Sequence, residues 1–159
     1  MKNATLLFLV KKSEGRVTEI CLAMKKRGFG AGRWNGTGGK VKEGESIESA
    51  TLRETEEEIG VKAKNISKVA ELFFAFSHNH PWDQMVHAYF CSEWEGEPSE
   101  SEEMRPQWFK IGDIPFVSMW PDDIFWLPKV ISGNIVKANF SFGEGDVIES
   151  QKVEVVESL

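Results

Sequence analysis

The run Arg53-Glu54-Thr55-Glu56-Glu57-Glu58 places four glutamates within five positions. On a solvated helix, like charges this dense repel by a few tenths of a kcal/mol per i,i+4 pair, so the cluster calls for a compensating cation. At roughly 100° per residue, Glu54, Glu57 and Glu58 share one face while Glu56 points nearly opposite. Ile47 and Ala50 occupy that face one and two turns earlier, which turns it toward the rest of the protein. Inward carboxylates are hard oxygen ligands suited to Mg²⁺ or Mn²⁺, with substrate phosphate oxygens and water completing the shell. A cation held there lowers the pKa of a bound water, orients it and neutralises charge on a transferring phosphorus group. The competing reading is an acidic solvated face, which describes most Glu-rich helices.

A second set, brought together only by the family resemblance described below, has side chains that would suit a base pocket. Trp120 supplies a stacking plate, and Asn35 with the adjacent Asp122 and Asp123 supplies an amide and carboxylates able to read a hydrogen-bonding edge. Two neighbouring carboxyls in a partly buried site can share one proton, so that one donates while the other accepts. Taken singly, Trp120 reads as a core residue and Asp122 as a helix cap. Phe29, Phe74, Phe76 and Met104 are further candidates for the lining, with core packing as the alternative for each phenylalanine. Lys25, Lys26, Arg27, Arg33 and Lys40 could attract a polyphosphate, or be ordinary surface charge around a loop. His78 and His80 form a short H-x-H that reads as a solvated loop before it reads as a metal site, and His87 reads as a structural histidine within a strand.

The elements that must position these residues follow from pattern. Thr5 to Val10 and Val17 to Met24 predict a β-hairpin. Gly28, Gly30, Gly32, Gly36, Gly38 and Gly39 predict a long shaped loop, which lacks the G-x4-G-K-[ST] form of a phosphate loop. Glu45 to Ile59 predicts a helix with Gly60 as its stop. Ile66 to Phe76, Met85 to Trp94 and Gln107 to Ile111 predict strands, and a second helix opens at Trp120-Pro121-Asp122-Asp123, bent or shortened by Pro128. Ala138 to Phe142 and Val147 to Val156 predict a closing hairpin. The order is α+β, a mixed sheet with helices packed on it.

The 159 residues, 41% of them hydrophobic, fit a single domain spanning 1–159. A net charge of -6 argues against a nucleic-acid partner, whose binding draws on basic residues, but leaves room for a small polyphosphate substrate. Cys21 and Cys91 stand alone in apolar runs and read as reduced, buried thiols. The N-terminal apolar run is too short for a signal sequence and no segment reaches membrane-spanning length. A cytoplasmic monomer without membrane or nucleic-acid partners is the expectation.

The wider spacing Gly39-x5-Glu45-x7-Arg53-Glu54-Thr55-x-Glu57-Glu58-x-Gly60-Val61 resembles the signature of the Nudix hydrolase superfamily, with Thr55 departing from its usual bulky apolar residue. Because Thr55 lies off the carboxylate face, the expected consequence is a small packing change. Lys25 to Gly36, Glu103-Met104-Arg105-Pro106, Met119 to Asp123 and Phe140-x-Phe142 extend the likeness to MutT-like members acting on oxidised purine nucleoside triphosphates. The resemblance implies an α/β/α sandwich with a mixed sheet between helices. It implies Mg²⁺ (or Mn²⁺) held by Glu54, Glu57, Glu58, Glu103 and the Gly38 carbonyl, with Glu57 or Glu58 polarising water and Arg53 braced on Glu45. It also implies a nucleotide site of Thr5, Lys25, Phe29, Asn35, Phe74, Trp120, Asp122 and Asp123, and hydrolysis of substrates such as 8-oxo-dGTP and 2-oxo-dATP to monophosphate and pyrophosphate. Departures fall near the pocket, where Thr37 replaces an aromatic residue and Ser77 to Gln84 is longer. Alternative substrates are therefore a methylated purine triphosphate, a dinucleoside polyphosphate or ADP-ribose, and an alternative class is a non-catalytic nucleotide sensor.

Overall fold

A computed structural model describes residues 2–159. Its centre is β1 (Lys2–Ser13), in which every residue from Ala4 to Val10 is buried, the pattern of a strand covered on both faces. Leu6, Phe8 and Val10 join one apolar cluster; Leu7 and Leu9, of opposite parity, join another.

β1 pairs antiparallel with β2 (Arg16–Lys25) only near their hairpin end, from Val10↔Ile20 to Ser13↔Arg16. Beyond Val10 the two strands part, and residues 34–40 fill the fork. There β3 (Trp34–Asn35) pairs with Ala23 and Met24 of β2, while Thr37 and Lys40 bridge to Leu7 and Ala4 of β1. The glycine loop is thus partly strand, wedged into the sheet. It lies across from α1 (Ile47–Ile59), whose Ser46 hydroxyl caps the Ser49 amide and whose C-terminus ends on Gly60 in the left-handed conformation, φ 72°.

The remaining elements are β4 (Lys62–Lys64), β5 (Ser67–Phe76), β6 (Gln84–Cys91), β7 (Glu93–Glu95), β8 (Met104–Lys110), α2 (Asp123–Ile131), β9 (Ile135–Phe142) and β10 (Ile148–Val156). β6 flanks β1 in parallel, β5 pairs antiparallel with β6 and parallel with β9, and β10 closes that edge; β8 covers β2. The sheet is mixed, as expected. α2 packs Trp126, Leu127 and Val130 on the Phe8 face, and Ile59 of α1 lies on the Leu7 face, so the sheet is sandwiched between helices.

Several boundaries differ from the sequence reading. The strand expected through Trp94 ends at Cys91, because Glu93–Glu95 leaves the sheet to pair with β4 in a separate ribbon. β8 starts at Met104, three residues before the expected Gln107, since pairing with β2 recruits a segment whose Pro106 weakens the strand signal. Asp122 occupies the N-cap position of α2 but has helical dihedrals and makes no cap; its carboxylate is drawn inward by an indole N–H of the same helix. Among the described residues, no helix is long and apolar enough to cross a membrane.

Candidate active site

The acidic helix meets the glycine loop over a cleft of about 530 Å³ lined by Lys25, Gly38, Gly39, Arg53 and the carboxylates Glu54, Glu57, Glu58, Glu102 and Glu103. The three motif glutamates do not turn inward equally, which corrects the reading of one inward face. Glu58 is 3% exposed whereas the Glu57 side chain is 55% exposed, with Glu54 between them. The buried arc of α1 is centred on Thr51 and Thr55, so Glu58 falls inside it, Glu54 at its edge and Glu57 on the solvent rim.

Glu58 Oε1 accepts the Gly38 N–H at 2.7 Å. Burial pushes its carboxyl up to about 7; the Gly38 hydrogen bond opposes this, the charges of Glu54 and Glu103 add to it, and Lys25 opposes it. Arg53 grips Glu45 through two nitrogens, at 2.7 and 2.9 Å, which holds the Glu45 carboxyl down at about 2. The same guanidinium reaches Glu54 at 2.8 Å and Glu57 at 3.2 Å. As the side chains lie, no three His, Cys, Asp or Glu among the described residues enclose an ion position. The donor set nevertheless suits a hard divalent cation: the carboxylates Glu54, Glu57, Glu58, Glu102 and Glu103 crowd one cleft, and the charges of Glu54 and Glu103 both bear on Glu58. The motif resemblance carries the same implication, a divalent metal ion.

Two glycines make the cleft sterically possible. A Cβ on Gly38 would lie 1.8 Å from the Thr5 carbonyl oxygen, and one on Gly39 would lie 2.7 Å from the Glu54 carboxyl carbon.

Beside the cleft, a cavity of about 280 Å³ opens over the sheet, and Lys25, Gly38, Gly39 and Glu58 line both spaces. Thr5, Phe29, Asn35, Phe74, Trp120, Asp122 and Asp123 all line this cavity, as do Phe76 and Met104. The Phe29 and Trp120 rings stand 5.1 Å apart, tilted by 35°. Asp122 and Asp123 are buried; the Trp126 indole N–H donates to Asp122 Oδ2 at 2.8 Å, while Asp122 Oδ1 and Asp123 Oδ2 have no partner. Burial raises the Asp122 carboxyl to about 6 and Asp123 well above its usual value, the latter also through the charge of Asp122, so the pair retains a proton where free aspartates have none. The Asn35 side-chain oxygen is committed to the Gly36 N–H, which leaves its NH₂ as the group free to donate.

The basic residues divide. Lys26 and Arg27 pair with Glu100 and with Glu102 and Glu103, respectively. Arg33 does not face the acidic cleft: it lies 4.1 Å over the Trp120 ring and pairs with Asp146 at 2.9 Å. Lys25, lining both spaces, and Lys40, lining the cavity alone, remain, and neither forms a salt bridge among the described residues. His78 packs against Phe76 and Trp82, His80 lies 3.5 Å from Asp83, and buried His87 hydrogen-bonds Asn3, so none belongs to the cleft. Cys21 and Cys91 are free and buried.

Sequence reasoning missed Gln84, Phe142 and Gly30 in the lining, Arg33 behind Trp120, and Trp82, which stands 5.6 Å from Phe29. For Gly30 a signal existed in the glycine density: a Cβ there would lie 3.3 Å from the Trp120 indole nitrogen. Thr55 is also more than a small packing change, being fully buried with its hydroxyl 2.8 Å from that of Thr37.

Comparison with known proteins agrees with this geometry. The NUDIX domain family matches residues 1–130. A Danio rerio protein named oxidized purine nucleoside triphosphate hydrolase is 46% identical over 159 residues, covering 99% of this chain and 97% of the fish protein. A Mus musculus protein of the same name is 45% identical over 140 residues, covering 88% of this chain and 89% of the mouse protein. Among solved structures, a MutT protein from Bacillus halodurans superposes with a TM-score of 0.83 at 22% identity, covering 97% of this chain and 98% of that one, a likeness of fold. With the motif spacing, the sandwich and two near full-length relatives in agreement, the chain belongs to the Nudix hydrolase family.

Proposed function

We propose that this chain is one Mg²⁺-dependent Nudix unit that hydrolyses oxidised or otherwise modified purine nucleoside triphosphates to monophosphate and pyrophosphate. The observation that carries this reading is the buried Asp122–Asp123 pair, whose unpartnered oxygens close a cavity that shares Lys25, Gly38, Gly39 and Glu58 with the acidic cleft. One ligand with an aromatic edge at one end and a polyphosphate at the other fits that layout. The names of the zebrafish and mouse relatives support the same substrate class.

In this reading the purine stacks on Trp120 with Phe29 and Phe74 at its sides. The protonated aspartate donates to a base acceptor and the ionised one accepts from a base N–H, while the Asn35 NH₂ adds a donor. An 8-oxo substituent changes the protonation at N7, and the pair can match either pattern by moving its proton. Lys25 neutralises phosphate charge between the two spaces, and Thr5 bounds the wall. Glu54, Glu57, Glu58, Glu103 and the Gly38 carbonyl are the proposed Mg²⁺ ligands. The ion would supply Lewis-acid charge neutralisation and a more acidic bound water. Glu58, with Glu57 as the alternative, takes the proton of the attacking water, and the Arg53–Glu45 pair holds the loop against the helix.

Steady-state hydrolysis of 8-oxo-dGTP, 2-oxo-dATP, a methylated dATP, ADP-ribose, a dinucleoside polyphosphate and the normal triphosphates under one Mg²⁺ condition tests this, with products resolved by chromatography. Oxidised purine triphosphates should give the highest kcat/KM and release pyrophosphate. Preference for ADP-ribose or a dinucleotide would overturn the substrate class. Nucleotide binding without any release of product would replace the enzyme by a sensor.

A further inference from the structure

Thr37 and Thr55 are buried, one in the glycine loop and the other mid-helix, with their hydroxyl oxygens 2.8 Å apart. The direction of that bond can be worked out. Thr55 donates its own proton to the Thr51 carbonyl one turn back, at 2.9 Å, and therefore accepts from Thr37. The other acceptor within reach of Thr37, the Leu7 carbonyl, is 3.4 Å away and already takes the Thr37 N–H.

The next peptide unit gives the pair its consequence. The Thr37 carbonyl accepts the Leu7 N–H of the central strand at 2.7 Å. Because a trans peptide is planar, with C=O and N–H on opposite sides, the Gly38 N–H must point away from β1, toward α1. There it meets Glu58 Oε1 at 2.7 Å. Two ties thus run side by side, from consecutive loop residues to positions i and i+3 of one helix face. The first joins side chains that have no part in the acidic cleft, and the second holds the carboxylate assigned above to the attacking water.

We propose that the Thr37–Thr55 hydroxyl pair positions the reaction machinery: it sets the spacing between glycine loop and helix at which the Gly38 N–H engages Glu58. The catalytic part of this inference rests on the function proposed above. Neither threonine touches substrate; both act through Gly38 and Glu58.

The test uses Thr37→Val, Thr55→Val and the double variant, with Thr37→Ser and Thr55→Ser as controls that keep the hydroxyls. Two readouts are taken: hydrogen exchange of the Gly38 amide in metal-free protein, and kcat and KM for the best nucleotide of the panel. The valine variants should exchange Gly38 about tenfold faster while the Leu7 and Val10 amides keep their protection. They should lose about tenfold in kcat with KM within about twofold, and the double variant should lose less than the product of the singles because the two hydroxyls are one interaction. The serine variants should match the parent on both readouts. Thr37→Val leaves Thr55 bonded to Thr51, so it strands no buried hydroxyl and remains testable if Thr55→Val fails to fold. Unchanged Gly38 exchange and kcat in Thr37→Val would overturn the proposal, as would a uniform loss of protection across the sheet, the mark of a purely structural pair. A parent protein that hydrolyses nothing in the panel defeats the proposed function instead, and the Gly38 exchange rates still decide whether the pair positions the loop.

Discussion

The adjacent glycines of the loop should respond oppositely to a single methyl group. Neither Gly38 nor Gly39 has a left-handed φ, so each is required for close approach and not for backbone conformation. In Gly38→Ala the new Cβ meets the Thr5 carbonyl oxygen at 1.8 Å, and that oxygen belongs to the central strand, between β6 and the loop itself. Strand or loop must move, and the Thr5 N–H to Gly39 carbonyl bond, 2.9 Å, breaks with it. Overpacking of this kind costs about 3 kcal/mol, the upper part of the usual range. For a chain of this size that lowers Tm by about 6–12 °C. In Gly39→Ala the obstacle is the end of the Glu54 side chain, 2.7 Å away, which can rotate aside. The loss is then one contact of a partly buried Arg53 that keeps its two bonds to Glu45, worth about 1 kcal/mol, or a few degrees in Tm. A displaced Glu54 no longer faces the cleft, so kcat should fall about 10- to 100-fold and the Mg²⁺ needed for half-maximal rate should rise. Thermal unfolding and a Mg²⁺ titration of hydrolysis measure both variants. A Gly38→Ala protein as stable as the parent, or a Gly39→Ala protein with normal metal dependence, would refute the close-approach reasoning.

Three further outcomes follow from the site. Glu58→Gln should reduce kcat by about 10²–10⁴ with no loss of stability, since the amide oxygen still accepts the Gly38 N–H; a decrease under tenfold in steady-state assays removes Glu58 from the proton-transfer role. Asp122 and Asp123 have raised carboxyl pKa values, so the folded protein holds protons that the unfolded chain releases above its usual 3.8, and stability must fall as pH rises from there through about 6. Urea unfolding across that interval should show the decline in the parent and a flatter profile in Asp123→Asn; identical profiles would mean that the two carboxyls do not share a proton. Trp120→Ala should raise KM for a purine triphosphate by about 10-fold or more through lost stacking, while the Mg²⁺ requirement stays put, and a KM unchanged in initial-rate measurements would take the base out of this cavity.

Much of this protein is local and could be read from the chain. The helix carrying the glutamates follows from a 3.6-residue period, a Ser46 cap and a Gly60 stop, all encoded within a few residues of where they act. The same period puts Glu54, Glu57 and Glu58 on one side, and the spacing from Gly39 to Val61 carries the family resemblance that the sandwich fold and the relatives bear out. Which part of that side is buried was not readable, because burial depends on what lies over the helix, and the wedge formed by residues 34–40 covers Glu58 and leaves Glu57 to solvent. Asp122 shows the same limit: its sequence context signals a cap, yet Trp126 and the core draw its carboxylate inward. Arg33 looks like any loop cation until Trp120 and Asp146, 113 residues away in the latter case, converge on it. Thr37 and Thr55 each look like a lapse from an apolar pattern, and only their meeting across 18 residues makes them a bonded pair. Periodicity and capping are interactions between near neighbours, so sequence by itself determines them; the partner of a buried polar atom is set by long-range packing, which only the folded chain decides.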